Sequence, residues 1–375
     1  MNLIYCDHAA TTPVKYEVLN EMLPYFCENY GNASSLYSIG RKSKNAINVA
    51  RERVAKAIGA KEKEIYFTSC GSESDNLAIK GVAKAYKQKG NHIITTKIEH
   101  PAILNTCRTL EREGFEVTYL NVDNKGLIDI DDLKQAIKNE TILISIMFAN
   151  NEIGTIQPVE DISKVAKEKN IIYHTDAVQA VGNIKINVEK MGIDLMSMSA
   201  HKFYGPKGMG ALYVKDGIEF EKLQDGGHQE RNKRAGTENV AGIVGLGKAI
   251  EIANENIENY NSKLRKIRNF FLNEIQASFP NSIINGDLDK RLSGNVNISF
   301  PNVDAEELLL ELDSRNICAS AGSACSSGNP DPSHVLVAIG LEEKYYNGTI
   351  RFTFGEENNI EQAKYIINSL KEIIK

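Results

Sequence analysis

Several stretches of the 375-residue sequence combine a reactive side chain with glycine, proline or small residues in ways that could support chemistry. In Ser199-Ala200-His201-Lys202-Phe203-Tyr204-Gly205-Pro206-Lys207-Gly208, Lys202 is followed by a sharp turn and not by a long solvated helix face. A lysine amine forms an imine readily once desolvation and nearby positive charge lower its proton affinity, and His201 stands beside it. In Thr68-Ser69-Cys70-Gly71-Ser72-Glu73, Gly71 and Ser72 can offer backbone N–H groups and a hydroxyl to a phosphate. A simple serine cap fits the same residues. In Ile98-Glu99-His100-Pro101, proline suits a first helical turn and puts His100 at a strand's end, where a structural histidine would also sit. In His174-Thr175-Asp176-Ala177-Val178-Gln179, an acid closes a strand and a glutamine follows three residues on, on the same face of an expected helix. An ionised Asp176 could keep a pyridinium nitrogen protonated and make a cofactor ring an electron sink; as a helix cap it would only hold backbone.

These residues need a scaffold that brings strand ends and helix starts together. From Lys61 to about Lys215, short β-branched runs such as His92–Thr96, Ile142–Ile146 and Ile171–His174 alternate with helical patterns such as Glu73–Lys89 and Pro158–Lys169. Alternation of this kind predicts an α/β domain with a mostly parallel sheet covered on both faces. Ligands in such domains collect at strand ends, where all these stretches fall. A long helical pattern runs from Asn239 to about Ser278, and the order then changes to strand, helix, loop, strand, helix, a smaller α+β unit. The expected division is residues 15–255 for the large domain, with 1–14 and 256–375 forming the small one.

Composition narrows the function classes. Apolar residues make up 42% and charged residues 25%, as in ordinary globular enzymes. A net charge of −5 offers no basic field for nucleic acid. No apolar stretch is long enough to span a bilayer and the N-terminus lacks a leader pattern, so a soluble cytoplasmic protein without a membrane partner is expected. The 6 cysteines form no CxxC pair, which favours free thiols in a reducing compartment over disulfides or a metal site. Gly242-Ile243-Val244-Gly245-Leu246-Gly247-Lys248-Ala249 nearly spells a phosphate-binding loop, but Ala249 replaces the metal-binding hydroxyl residue and no strand precedes it.

Taken with Asn150-Asn151-Glu152-Ile153-Gly154, Arg234-Ala235-Gly236-Thr237-Glu238-Asn239 and Ser323-Ala324-Cys325-Ser326-Ser327-Gly328, the Lys202 and Asp176 stretches make the chain similar, nearly end to end, to the cysteine desulfurases of the NifS/IscS type. The resemblance implies the pyridoxal-phosphate fold type I (aspartate-aminotransferase-like), a homodimer, pyridoxal 5'-phosphate as cofactor and L-cysteine as substrate. It makes Lys202 the Schiff-base lysine and Asp176 the partner of the pyridine nitrogen. It sets Gln179 and Asn151 near the ring and its phenolic oxygen, and stacks His100 on the ring. Gly71, Ser72, Ser199 and His201 then correspond to the phosphate cradle, and Thr237 reaches the phosphate held by the other subunit. Arg351 grips the substrate carboxylate with Asn151 nearby, His100 handles protons, and Cys325 is the nucleophile that takes sulfur as a persulfide and passes it to an acceptor such as an iron-sulfur scaffold protein. Cys318, after an apolar run, is expected to be inert. The chain departs from the family pattern at Tyr37, Cys70, His228 and Val337, none with a named chemical role. A selenocysteine lyase, an aminotransferase and a non-catalytic scaffold remain as alternatives; Cys325 argues against the aminotransferase.

Overall fold

The computed structural model describes residues 3–322 and 332–374. The short strand β1 (Ile4–Tyr5) precedes α1 (Tyr16–Met22), α2 (Pro24–Cys27) and α3 (Ser38–Ile58). The central region then alternates as β2 (Ile65–Thr68), α4 (Gly71–Tyr86), β3 (His92–Thr96), α5 (Pro101–Arg112), β4 (Glu116–Leu120), α6 (Ile130–Ala136) and β5 (Thr141–Ser145). It continues through α7 (Val159–Glu168), β6 (Ile172–Asp176), α8 (Val188–Met191), β7 (Leu195–Ser199) and β8 (Gly210–Val214). The C-terminal part holds α9 (Gln229–Asn232), α10 (Val240–Ser278), β9 (Ile283–Ile284), β10 (Asn295–Ser299), α11 (Ala305–Ser314), β11 (Ile317–Cys318), α12 (His334–Ala338), β12 (Thr349–Thr353) and α13 (Ile360–Ile373).

The seven-stranded sheet has the order β2-β8-β7-β6-β5-β3-β4. Its strands from β7 to β4 run parallel, and β8 runs against both of its neighbours. The expected mostly parallel sheet is therefore mixed at one edge. The cause lies in the connection: β7 reaches β8 through the Lys202 turn without a crossover helix, and so short a return forces an antiparallel strand. β3, β5, β6, β7 and β8 are buried along their whole length, as expected for a sheet covered on both faces.

The helix α10 serves two apolar clusters. Its first turns, through Ile250, pack with α3 and the main sheet, while Leu264, Ile267, Phe271 and Ile275 join β10, β12 and α13 in another cluster that also holds Ile4 and Cys6. The glycines that resembled a phosphate loop lie inside α10. A Cβ on Gly247 would come within 2.7 Å of the Ala50 Cα, so glycine there permits the close crossing with α3. No described helix is long and apolar enough to cross a membrane.

Candidate functional site

The C-terminal ends of the parallel strands open into a cleft of about 210 Å³, lined from the large sheet, the N-terminal segment and β12. The order of strands brings β2, β6 and β7 near one another, so three separate strand-to-helix or strand-to-turn junctions face a common space.

At the β2–α4 junction, Cys70 caps the helix, its Sγ accepting the Glu73 N–H at 3.4 Å. The cap is thus a thiol and not the expected serine. Gly71 opens the helix with a Cβ position only 2.7 Å from Val178 Cγ2, so a side chain would close the approach to the first-turn N–H groups. Ser72 lines the cleft beside it. Across the cleft, Ser199 ends β7 with its buried Oγ unpartnered among the described residues. Buried hydroxyls of this kind call for a partner. A helix N-terminus, an orphaned hydroxyl and an imidazole at His201 fit an anionic group of phosphate size.

His201 and Lys202 sit in a single 3-10 turn after β7. His201 Nδ1 lies 3.1 Å from Thr11 Oγ1, and burial with the Lys202 and Lys207 charges pushes the imidazole down to about 4. Lys202 Nζ donates to the carbonyls of Ala9 at 2.6 Å and Ala10 at 2.7 Å. Gln179 Nε2 also donates to Ala9 O, at 3.0 Å. The segment after β1 therefore forms a wall of the cleft, a role that no local pattern in Asp7–Thr12 announces.

Asp176 terminates β6, and its Oδ1 accepts the Val178 N–H at 2.9 Å. The helix expected to follow is absent: residues 178–183 form turns, because Asp176 closes a local side-chain-to-backbone turn in place of capping a helix. Burial raises the Asp176 carboxyl, while His100, the Val178 N–H and Lys202 pull it back. His100 caps α5, its Nδ1 accepting the Ala102 N–H at 3.1 Å, so the neutral ring carries its proton on Nε2. Burial lowers its affinity for a second proton.

Arg351, in β12, is 1% exposed. Its Nη2 pairs with Asp7 Oδ1 at 2.7 Å, its Nη1 donates to Asn151 O at 3.0 Å, and its Nε has no partner among the described residues. Asp7 was not anticipated from sequence. A buried guanidinium needs such a carboxylate, which also fixes its orientation.

Lys202, Asp176, His100, Gly71, Ser72, Ser199, His201, Gln179, Asn151 and Arg351 all line this cleft. Thr237 does not; it is exposed on the segment between α9 and α10. Cys325 lies outside the described residues. Cys318 pairs with β1, and burial pushes its thiol up. Tyr37 and Val337 are surface residues.

The family model for class-V aminotransferases matches residues 4–366. The chain belongs to the class-V aminotransferase family. A Clostridium botulinum protein named cysteine desulfurase IscS is 57% identical over 374 residues, covering 99% of this chain and 94% of its own. Among solved structures, a NifS-like protein superposes with a TM-score of 0.94 at 38% identity, covering 100% of this chain and 99% of its own. The structure of SspA in complex with cysteine gives a TM-score of 0.83 at 41% identity, covering 94% of this chain and 99% of that one. This class-V aminotransferase chain accordingly has the pyridoxal-phosphate fold type I seen in NifS-like proteins.

Proposed function

We propose that the protein is a cysteine desulfurase that uses pyridoxal 5'-phosphate to convert L-cysteine to L-alanine, leaving the sulfur on Cys325. The reading is carried by one cleft that gathers an amine, a strand-end acid, a histidine, a helix N-terminus and a buried arginine, in a chain 57% identical to a protein named for that activity. Gly71, Ser72, Ser199 and His201 would hold the phosphate, with Thr237 of a second copy. Asp176 would accept a hydrogen bond from the ring nitrogen, Gln179 and Asn151 would flank the phenolic oxygen, and His100 would cover the ring face. Bound there through Lys202, the cofactor supplies an electron sink for charge developed at the substrate Cα.

The chain's own residues account for the remainder. Arg351, already oriented by Asp7, would present to the substrate carboxylate its Nε, which has no partner among the described residues. Lys202 removes the Cα proton and returns a proton to the product. His100, neutral because it is buried, serves as the acid–base partner of the substrate thiol. The Cys325 thiolate attacks the substrate sulfur; a Cys325–S bond forms, the substrate C–S bond breaks, and its electron pair stays with carbon, which is protonated to give alanine. The persulfide then passes to an acceptor of the iron-sulfur scaffold kind.

A cytoplasmic homodimer completes the reading. Exposed Tyr16, Leu23, Phe26, Tyr30, Leu36 and Tyr37 form an apolar run over α1, α2 and the segment after them, which supports self-association. The exposed position of Thr237 fits service to the other subunit's site. The separate apolar clusters support a large domain of residues 15–255 and a small one of 1–14 with 256–375.

The test is direct. Purified protein carrying the cofactor's visible absorption band is given L-cysteine with a thiol reductant, and alanine and sulfide are measured. Equal amounts of both are expected; a protein that binds the cofactor but yields no alanine would sink the desulfurase reading, and a keto acid product would favour transamination.

A further inference from the structure

The face of the main sheet under α4 is polar where its centre should be apolar. Ser145 stands beside His174 across β5 and β6, Ser197 stands beside Asp176 across β6 and β7, and Ser145, His174 and Ser197 are each fully buried. His174 Nδ1 is 2.9 Å from Ser145 Oγ, and Nε2 is 3.0 Å from Ser197 Oγ. Asp176 follows His174 by two residues on the same strand and so shares its face. From α4, Asp75 comes down onto this layer, 1% exposed, with its Oδ1 3.8 Å from His174 Nε2. That oxygen has no hydrogen-bond partner among the described residues, and Asp75 lines the cleft together with Asp176.

Asp75 and His174 do not form an ion pair. Burial drives His174 down to about 3, so the ring is neutral near pH 7 and offers the carboxyl no counter-charge. The acidic groups around Asp75 are Asp176 at the end of β6, Glu99 before α5, which burial pushes up to about 8, and the Cys70 thiol ahead of α4. The Lys202 ammonium and the His100 ring lie near Asp176 and pull its carboxyl down. Burial and the Asp176 charge raise the Asp75 carboxyl well above the usual range, against a hydrogen bond from the Ser197 hydroxyl that lowers it and ties Asp75 to this row. Two carboxyls in one dry wall cannot both ionise, and the Lys202 ammonium near Asp176 selects which one does.

We infer that Asp75 is a positioning residue: a neutral carboxyl under α4 that carries one proton, braces the Ser145–His174–Ser197 row, and leaves Asp176 as the single negative charge beneath the cleft. This rests on the reading of Asp176 as the partner of the cofactor's ring nitrogen. A charged Asp75 would raise the proton affinity of Asp176 and weaken that hold; an apolar residue would leave the row without its brace. Burial away from any counter-charge is a known way to keep a carboxyl protonated near pH 7.

Infrared spectroscopy of the apoprotein near pH 7 tests the charge state without any cofactor. Buried Glu99, pushed up to about 8, contributes a protonated-carboxyl band to every variant, so the readout is the difference spectrum. Parent minus Asp75→Asn should hold a protonated-carboxyl C=O band, and parent minus Asp176→Asn should hold none. Titration of the visible band after reconstitution with pyridoxal 5'-phosphate tests positioning. Asp75→Asn should keep the parent's pH midpoint within about 0.3 units, since the amide copies a neutral carboxyl, whereas Asp75→Leu should retain cofactor at least ~10-fold more weakly or shift the midpoint by about one unit. A parent-minus-Asp75→Asn difference spectrum without that band overturns the neutral state. An Asp75→Leu protein that binds and titrates as the parent overturns the positioning role. Parent protein that takes up no cofactor at all would defeat the reading of the cleft, and the positioning role with it, while the apoprotein infrared result still decides the protonation of Asp75 by itself.

Discussion

Two buried layers of this molecule are built on opposite plans. The layer beneath α4 holds Asp75, Ser145, His174, Ser197 and Asp176 where a parallel sheet could have been wholly apolar. The layer where α10 and α13 cover β10 and β12 is built mainly on apolar contacts: Val296 faces Phe352, Ile298 faces Ile350, and Phe271 packs on Phe352 at 5.2 Å between ring centroids. The second layer contributes stability through area removed from water and close packing. The first forgoes part of that gain to hold polar groups at fixed positions, the exchange expected where a site must be ready before its ligand arrives. The opposite face of β10 and β12 carries Asn297, Ser299, Thr349 and Arg351, so one small sheet shows both plans, separated by strand alternation alone.

The contrast can be broken by mutations whose effects should sort by layer. Lys202→Ala should lower kcat by ~10⁴ or more with little change in melting temperature, because the residue handles protons and carries the cofactor while bearing little of the core. Steady-state alanine production checks it, and retention of more than about a tenth of the parent rate would contradict the role. Cys325→Ala should abolish sulfide release while the visible cofactor band persists; sulfide at the parent rate would mean another nucleophile.

Phe352→Ala should cost about 3–5 kcal/mol of stability, read by denaturant unfolding, and leave the cofactor band in place at low denaturant. If it moved the band's pH midpoint instead, the two layers would not be separable. Arg351→Lys should raise KM for cysteine by roughly 100-fold with a smaller change in kcat, since a point charge cannot copy a planar donor already held by Asp7. Equal loss in both constants would place Arg351 in the chemical step and not in carboxylate binding.

The smallest effect concerns pH. His174 titrates near 3 in the fold and near 6.5 in an unfolded chain, so between those values the unfolded state binds more protons. Stability from this group is therefore complete above roughly pH 6.5 and is lost as pH falls toward 3. Melting temperatures at pH 7 and 5 should converge in His174→Gln relative to the parent; equal slopes would show that His174 does not set this part of the curve.

Much of the scaffold was legible because strands buried on both faces leave continuous β-branched runs, as in His92–Thr96, and because caps and prolines mark helix starts, as at His100-Pro101. The helix α10 was legible nearly to the residue from Asn239 to Ser278. The turn after Asp176 was misread as a helix, since an acid that caps a helix and an acid that closes a tight turn look the same in sequence. The reversed direction of β8 also escaped, because direction is decided by how the chain returns and not by the strand's own residues.

What the sequence determined by itself was the local chemistry: a lysine in a glycine-rich turn, an acid at a strand end, a glycine and serine at a helix start, and a thiol among small residues. These signals are short-ranged and survive in the order of residues. Only the tertiary structure decided who meets whom. Arg351 finds Asp7 across a separation of 344 residues, Lys202 finds the Ala9 and Ala10 carbonyls, and Asp75 descends from a helix toward His174. Such pairings depend on which strands the sheet places side by side and which helix covers them. That choice belongs to the packing of the whole core, and no window of sequence contains it.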